Sequence, residues 1–156
     1  MATTEIASDQ KHEQRVGLLA LGRATFDVAF AEEKFAAILS ALDAAPITLL
    51  GPRELLFDGN AASAAIEMLN AQTIDRLLIA QITFTDAAVT VEAAKALGVP
   101  VSIWAVPEPR SGGRLRLNAF CGLNLASHAL GLNQTAFSWA YGDATDIDVM
   151  HLLSDQ

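Results

Sequence analysis

Short apolar runs alternate along this chain with longer stretches of helical periodicity, and this alternation constrains the fold more than any other feature. The runs cover residues 15–21, 47–50, 75–79 and 101–105. Between them, apolar residues recur at spacings of three and four, which is typical of a helix with one buried face, as at Phe35, Ile38, Leu39 and Leu42. A strand that is apolar on both faces must be covered by helices on both sides, as in a parallel sheet built from βαβ units. We therefore predict an α/β fold.

Three strand-helix-strand units in series form right-handed crossovers, so the predicted sheet is open and doubly wound, a Rossmann-like arrangement with three αβα layers. The last third of the chain is less regular. Residues 107–113 indicate a loop, 114–117 alternate like a short edge strand, 121–130 read as a helix and 136–140 as a final strand.

We divide the chain into three parts. Residues 1–14 are predicted to be a flexible tail, and residues 15–145 a single α/β domain. Residues 146–156 are either the start of a following segment or a mobile C-terminal tail.

Charge and composition exclude several classes of function. Eighteen acidic and ten basic side chains leave a formal net charge of -8, which disfavours nonspecific binding to nucleic acid or to an anionic membrane. Neither a spanning run of about 18 apolar residues nor a secretory leader pattern is present. Together with the single cysteine, this predicts a cytoplasmic protein.

Few motifs point to catalysis. Residues 17–23 read G-x-x-x-x-G-R, without the lysine and hydroxyl residue of a phosphate-binding loop, and no G-x-G-x-x-G occurs. Cys121 and His128 are separated by about 10.5 Å of helical rise, too far for a nucleophile and its base, and Cys121 is predicted to be a buried structural residue. Asp148 and His151 are too few ligands for a metal. We assign no catalytic or metal-binding residue in this chain.

A binding site is predicted at the carboxyl ends of the strands, where ligands of open α/β sheets gather. Gln81 lies at the end of the third predicted strand, where polar side chains replace apolar ones. Trp104 and Glu108 follow the fourth, and an indole beside a carboxylate suits a sugar or another polyol. The basic cluster of Arg110, Arg114 and Arg116 is interpreted as a solvated hairpin, with anion binding as the alternative.

Three segments carry a resemblance to a known family. Val16–Arg23, Val99–Glu108 and above all Cys121–Leu130 resemble the N-terminal region of L-fucose isomerase-like and L-arabinose isomerase-like proteins, over about residues 15–145. The resemblance implies a fold that helps to bind an aldose or ketose, often across a subunit interface. It also implies Arg23, Trp104 and His128 as substrate-binding residues.

In that family an aldose and its ketose interconvert through an enediol with the help of a divalent metal, usually manganese. The family's metal carboxylates and ligand histidine lie in later domains, so manganese is expected in the full-length family and no cofactor in this chain. The resemblance implies an N-terminal substrate-binding and oligomerisation domain of a sugar isomerase, acting as a homo-oligomer or with a partner that carries the catalytic domain. The alternative is a stand-alone sugar-binding or regulatory module without catalysis.

Overall fold

The computed structural model describes residues 12–155. In chain order the elements are β1 Gln14–Leu21, α1 Val28–Ala44, β2 Ile47–Leu50, β3 Leu55–Leu56, α2 Gly59–Asn70, β4 Arg76–Gln81, α3 Ala88–Leu97, β5 Val101–Ala105, α4 Ala119–Leu132, β6 Phe137–Tyr141 and α5 Val149–Leu152. Of the predicted tail, residues 1–11 lie outside the described residues, and Gln14 already belongs to β1.

Within residues 12–155 the strands form one sheet in the order β2-β1-β4-β5-β6, with β3 pairing with β1. Every pairing is parallel, and the longest register joins β1 to β4 from Val16↔Arg76 to Leu21↔Gln81. The predicted α/β fold with a parallel, helix-covered sheet in three layers is confirmed.

Burial explains why these segments became strands. Every residue of β4 and β5 is buried, as are the last six residues of β1, because helices cover both faces of the sheet centre. Phe35, Ile38 and Leu42 of α1 are buried as their spacing predicts. No helix in the described part of the chain has the length and hydropathy needed to traverse a lipid bilayer.

The prediction of an edge strand over residues 114–117 is wrong. Instead, Glu108 holds the end of this segment as a loop. Its carboxylate accepts hydrogen bonds from the backbone N–H groups of Arg116, Leu117 and Asn118 at 2.6, 2.9 and 2.8 Å. These bonds use the donors that a strand ladder would need. The Arg116 guanidinium is 2.8 Å from Asp27 and lies over the Phe30 ring, so this residue fastens the loop to α1. Arg110 and Arg114 are exposed.

Residues 149–153 do not form the mobile tail that was one of the two predictions for the C-terminal segment. Leu152 and Leu153 are buried, and the Leu152 carbonyl accepts hydrogen bonds from the hydroxyls of Ser102 and Ser138 at 2.9 and 2.8 Å. The buried Arg76 side chain donates to Ser102 Oγ at 3.2 Å and also pairs with Asp155. This polar network joins the C-terminal segment to three strands.

Asp27 provides a pH-dependent test of the fold. It is the N-cap of α1, and the hydrogen bonds from the Phe30 backbone N–H and from Arg116 hold its pKa below the ordinary value of 3.8. A depressed folded-state pKa stabilises the fold above the unfolded-state value, and that contribution is lost as the pH falls through the folded-state pKa.

We therefore expect Asp27→Asn, which keeps a capping oxygen but removes the charge, to lower the urea midpoint at neutral pH. The difference from wild type should shrink below pH 3.8. Glu33→Gln, which removes an exposed carboxylate on the same helix, is the control and should cause little change at either pH. An Asp27→Asn effect independent of pH would contradict the assignment.

Candidate functional site

The order of the strands creates a crevice beyond the carboxyl ends of β1 and β4. These strands are neighbours, but the chain leaves β1 towards β2 and reaches β4 only after α2, so their connections diverge. A cavity of about 420 Å³ opens there. The short strand β3 brings residues 57–60 to its rim, because Leu56 pairs with Leu21 and its carbonyl accepts from the Gly22 N–H at 3.2 Å.

The cavity combines polar and apolar groups. Its apolar lining includes Leu21, Leu56, Phe57 and Val89. The polar side chains along it are Arg23, Asp58, Asn60, Ser63, Thr85, Asp86 and Glu92. An apolar wall with a few convergent polar groups is the usual composition of a small-molecule site.

Arg23 and Asp86 lie on opposite connections and form an ion pair across the cavity rim. Buried Thr83 joins the same two connections, since its hydroxyl accepts from the Arg23 backbone N–H at 2.9 Å and donates to the Phe84 carbonyl at 2.9 Å. The second oxygen of Asp86 accepts from the Ala88 N–H at 2.9 Å, at the start of α3. The rim is therefore held by backbone contacts even when the exposed ion pair opens.

Asp58 and Asn60 were not among the predicted site residues. Asp58 is the N-cap of α2, with its side chain accepting from the Ala61 N–H at 2.8 Å, and Asn60 follows in the first turn. The sequence signal for this cap was present in Asp58-Gly59 before the α2 periodicity. The sequence analysis did not predict β3, because a strand of two residues is too short to be recognised from sequence.

Gln81 lies immediately behind the cavity. Its side chain is buried, and Nε2 donates to the Thr83 carbonyl at 2.8 Å and to Thr85 Oγ1 at 2.9 Å. A Cβ at Gly122 of α4 would lie 2.9 Å from the same Nε2 atom. Gly122 thus allows α4 to approach closely enough to enclose Gln81, which in turn positions Thr85 at the cavity.

Trp104 occupies a different place from the one predicted. Its side chain is fully buried, and the indole Nε1 donates to the Gly142 carbonyl at 2.9 Å. A ring without an exposed face cannot stack on a sugar, so the stacking interpretation does not fit this structure. Glu108 is likewise committed to the backbone of residues 116–118, as described above, and is not beside the cavity.

His128 lies on the exposed side of α4, outside the cavity lining. Cys121 is also exposed, so the prediction of a buried cysteine is wrong. The reason is helical phase, because Gly122, Leu123 and Ala126 face the sheet and turn Cys121 outward. Of the five predicted binding residues, Arg23 is the one that lines the cavity.

The metal expected in the full-length family has no site among residues 12–155. No group of three His, Cys, Asp or Glu side chains in this part of the chain could hold a metal ion. The Asp148 side chain accepts from the His151 backbone N–H at 3.1 Å, which accounts for their spacing as a helix cap. The described residues do not fit a manganese centre.

Comparison with known proteins identifies the protein family to which the chain belongs. The model of the fucose/sulfoquinovose isomerase N-terminal domain matches residues 17–151, so the chain belongs to that family. It is 30% identical over 123 residues to a sulfoquinovose isomerase of Priestia aryabhattai, covering 79% of this chain and 28% of that protein. A sulfoquinovose isomerase of Clostridium sp. (strain MSTE9) is 28% identical over 141 residues, covering 89% and 31%.

These matches confirm the family resemblance predicted from the three sequence segments and the relationship to sugar isomerases. The chain spans less than a third of the length of these relatives.

The contact between Gly122 and Gln81 gives a test of the site's support. Replacing a helical glycine by alanine ordinarily favours the helix by up to about 1 kcal/mol. At Gly122 the added methyl would press on Gln81, so we expect Gly122→Ala to lower the free energy of unfolding measured with urea. Gly131→Ala in the same helix, with nothing within 4 Å of the added atom, should leave it unchanged or raise it.

In a Gln81→Ala background, Gly122→Ala should lower the free energy of unfolding by less than it does in the wild-type chain, because most of the side chain that the added methyl contacts is gone. An equal cost in both backgrounds, or stabilisation by Gly122→Ala alone, would show that the contact does not constrain α4.

Proposed function

We propose that this chain is the substrate-binding and oligomerisation domain of an aldose-ketose isomerase and that the metal-dependent catalytic groups belong to another domain or subunit. The observation that carries the substrate-binding part is the cavity at the carboxyl ends of β1, β3 and β4, with its convergent polar side chains. The family relationship supports a sugar as its ligand.

The cavity has the groups that a sugar requires. Asn60 and Ser63 can donate to and accept from hydroxyls, and the carboxylates along the lining can accept. Half-buried Phe57 offers an aromatic surface for sugar C–H groups, the role that the sequence assigned to Trp104. The exposed Arg23–Asp86 pair contributes on the order of 0–1 kcal/mol, so a ligand hydroxyl can displace it at little cost.

The charge of the cavity favours an uncharged sugar end. Asp58, Asp86 and Glu92 set three carboxylates against the single guanidinium of Arg23. The relatives are named for sulfoquinovose, a sugar that carries a sulfonate. A sulfonate in this cavity would meet net negative charge. Groups outside this cavity would have to bind it.

The division of labour has a physical basis. Aldose-ketose interconversion moves protons between adjacent carbons, which is the work of the metal-bearing part. This chain's residues bind the remote hydroxyls and orient the sugar, which lowers the entropic cost of reaching the reactive geometry. A cytoplasmic location belongs to the same proposal, since a reducing compartment keeps an exposed lone thiol such as Cys121 free.

Sugar binding is tested by titrating the chain with L-fucose, L-arabinose and sulfoquinovose while recording amide NMR shifts. We expect shifts clustered around the cavity, and tighter binding of the neutral sugars. Asn60→Ala should weaken binding by about two- to tenfold, the loss of one net hydrogen bond. Asn70→Ala, at the opposite end of α2, is the matched control and should bind as the wild type does.

Shifts confined to another region, or equal affinity in Asn60→Ala, would refute this cavity as the sugar site. A preference for sulfoquinovose that Asn60→Ala removes would keep the cavity and refute the charge argument.

Catalysis is tested separately, by assaying isomerisation of the same sugars with manganese. We expect no turnover by residues 1–156 alone and turnover when a protein carrying the metal-bearing isomerase domains is added. Turnover by the chain alone would contradict the placement of the catalytic groups elsewhere. Sugar binding with no stimulation of any such partner would favour the stand-alone sugar-binding or regulatory module.

A further inference from the structure

The lining of the cavity changes from a polar mouth to an apolar floor. Its charged side chains are all exposed, namely those of Arg23, Asp58, Asp86 and Glu92. The buried residues of the lining carry no polar side chain, and we call them the cavity floor: Leu21, Gly22, Leu56 and Ala62. A hydroxyl buried without a hydrogen-bond partner is unfavourable, so a ligand is expected to place its apolar end on the floor and its hydroxyls at the mouth.

Gly22 is the floor residue without a side chain, and the fold does not require a glycine there. It follows the last residue of β1, and its backbone N–H donates to the Leu56 carbonyl at 3.2 Å. Its φ is not positive, so other residues adopt this backbone conformation without strain. A Cβ on Gly22 would lie 3.5 Å from Phe57 Cε1 and 3.6 Å from Thr83 Cγ2, which are ordinary van der Waals distances. Alanine would therefore fit the folded chain.

Two other glycines show what a structural requirement looks like in this protein. Gly51 has a φ of 107°, and a Cβ there would lie 2.7 Å from the Leu18 carbonyl oxygen. A Cβ on Gly122 would lie 2.9 Å from Gln81 Nε2. Gly22 has neither restriction. What distinguishes Gly22 is its place in the cavity lining, beside the Phe57 ring.

We propose that Gly22 is a specificity-determining residue, because the space left by its missing side chain receives the substituent on C5 of the sugar. This inference rests on the proposed function, which takes the ligand to be an aldose or ketose. Isomerisation changes C1 and C2 of the open-chain sugar, and these carbons must face the metal-bearing part at the open mouth. The other end of the sugar, with its C5 substituent, then reaches the floor.

The group that suits this space is small and apolar. A methyl group on C5 would contact the Phe57 ring and the aliphatic side chains of the floor. A hydroxymethyl group would bring a hydroxyl to residues that have no polar side chain to bond it. A hydrogen would leave the space above Gly22 unfilled. The cavity should therefore rank the three substituents with methyl first.

Three sugars that differ only in the C5 substituent test this ranking. D-Arabinose has hydrogen at this position, L-fucose has methyl and L-galactose has hydroxymethyl. In amide NMR titrations of the wild-type chain, L-fucose should bind about fourfold more tightly than D-arabinose, the effect of one buried methyl group. L-Galactose should bind about fivefold or more weakly than L-fucose, the effect of an unpaired buried hydroxyl. Binding of L-galactose as tight as that of L-fucose would overturn the inference, because the floor would then accept a polar group.

Gly22→Ala fills the same space with a methyl group of the protein. We expect L-fucose to bind this variant about fourfold or more weakly than it binds the wild type, and D-arabinose to bind both equally. The preference for L-fucose should therefore disappear. Gly131→Ala in α4 is the control, since it adds the same group outside the cavity lining with nothing within 4 Å, and it should keep the wild-type ratio of affinities.

Stability and a second variant separate a specificity effect from damage to the fold. The urea midpoint of Gly22→Ala should equal or exceed that of the wild type, because alanine fits this backbone and restricts the unfolded chain. A lower midpoint would mean that the fold itself requires the glycine, and it would overturn the inference. Phe57→Leu removes the ring that the C5 methyl would contact, and it should also reduce the preference for L-fucose over D-arabinose.

The outcomes distinguish this inference from the proposed function. If none of the three sugars shifts the amide signals around the cavity of the wild-type chain, both are overturned. If the sugars bind at the cavity but Gly22→Ala changes all three affinities equally, or changes none, the cavity remains the sugar site and the role of Gly22 is overturned.

Discussion

The parallel pairing of β1 with β4 at the centre of the sheet is the constraint on which the rest of the structure depends. The register runs without interruption from Val16↔Arg76 to Leu21↔Gln81, and almost every side chain in it is buried. Because parallel strands must be joined by crossovers and covered on both faces, this pair determines where the helices lie. Because the chain continues from β1 to β2 on one side and from β4 to β5 on the other, the connections diverge at the carboxyl ends of this pair and enclose the cavity.

The family segment at the start of α4 acquires a physical meaning from this arrangement. Gly122 lets the helix approach β4 so closely that its backbone covers the Gln81 side chain. Gln81 then donates hydrogen bonds to the Thr83 carbonyl and to the hydroxyl of Thr85, which lines the cavity. The same helix turns an outer side without Asp, Glu, Lys or Arg away from the sheet, with Asn124 and His128 among its exposed residues.

Much of the fold could be predicted because strand and helix periodicities are local properties of the chain. The strand at 101–105 and the buried face of α1 are recognised from patterns a few residues long. The position of the cavity, at the carboxyl ends of the strands, could be predicted from the sequence, but most of the residues that line it could not. Arg23 lines the cavity, whereas Trp104 is enclosed in the core and Glu108 binds backbone ten residues along the chain. Asp58 and Asn60 were missed because β3 exists only through its pairing with β1.

By itself the sequence determined the class of fold and the family, since each is written in composition or short-range pattern. The tertiary structure decided which polar residues share a cavity, which aromatic rings are buried and which side of α4 faces solvent. These properties depend on contacts between segments far apart in the chain. Trp104 and Trp139 illustrate the difference, because both lie in short apolar strands and only the sheet order makes one central and the other an exposed edge.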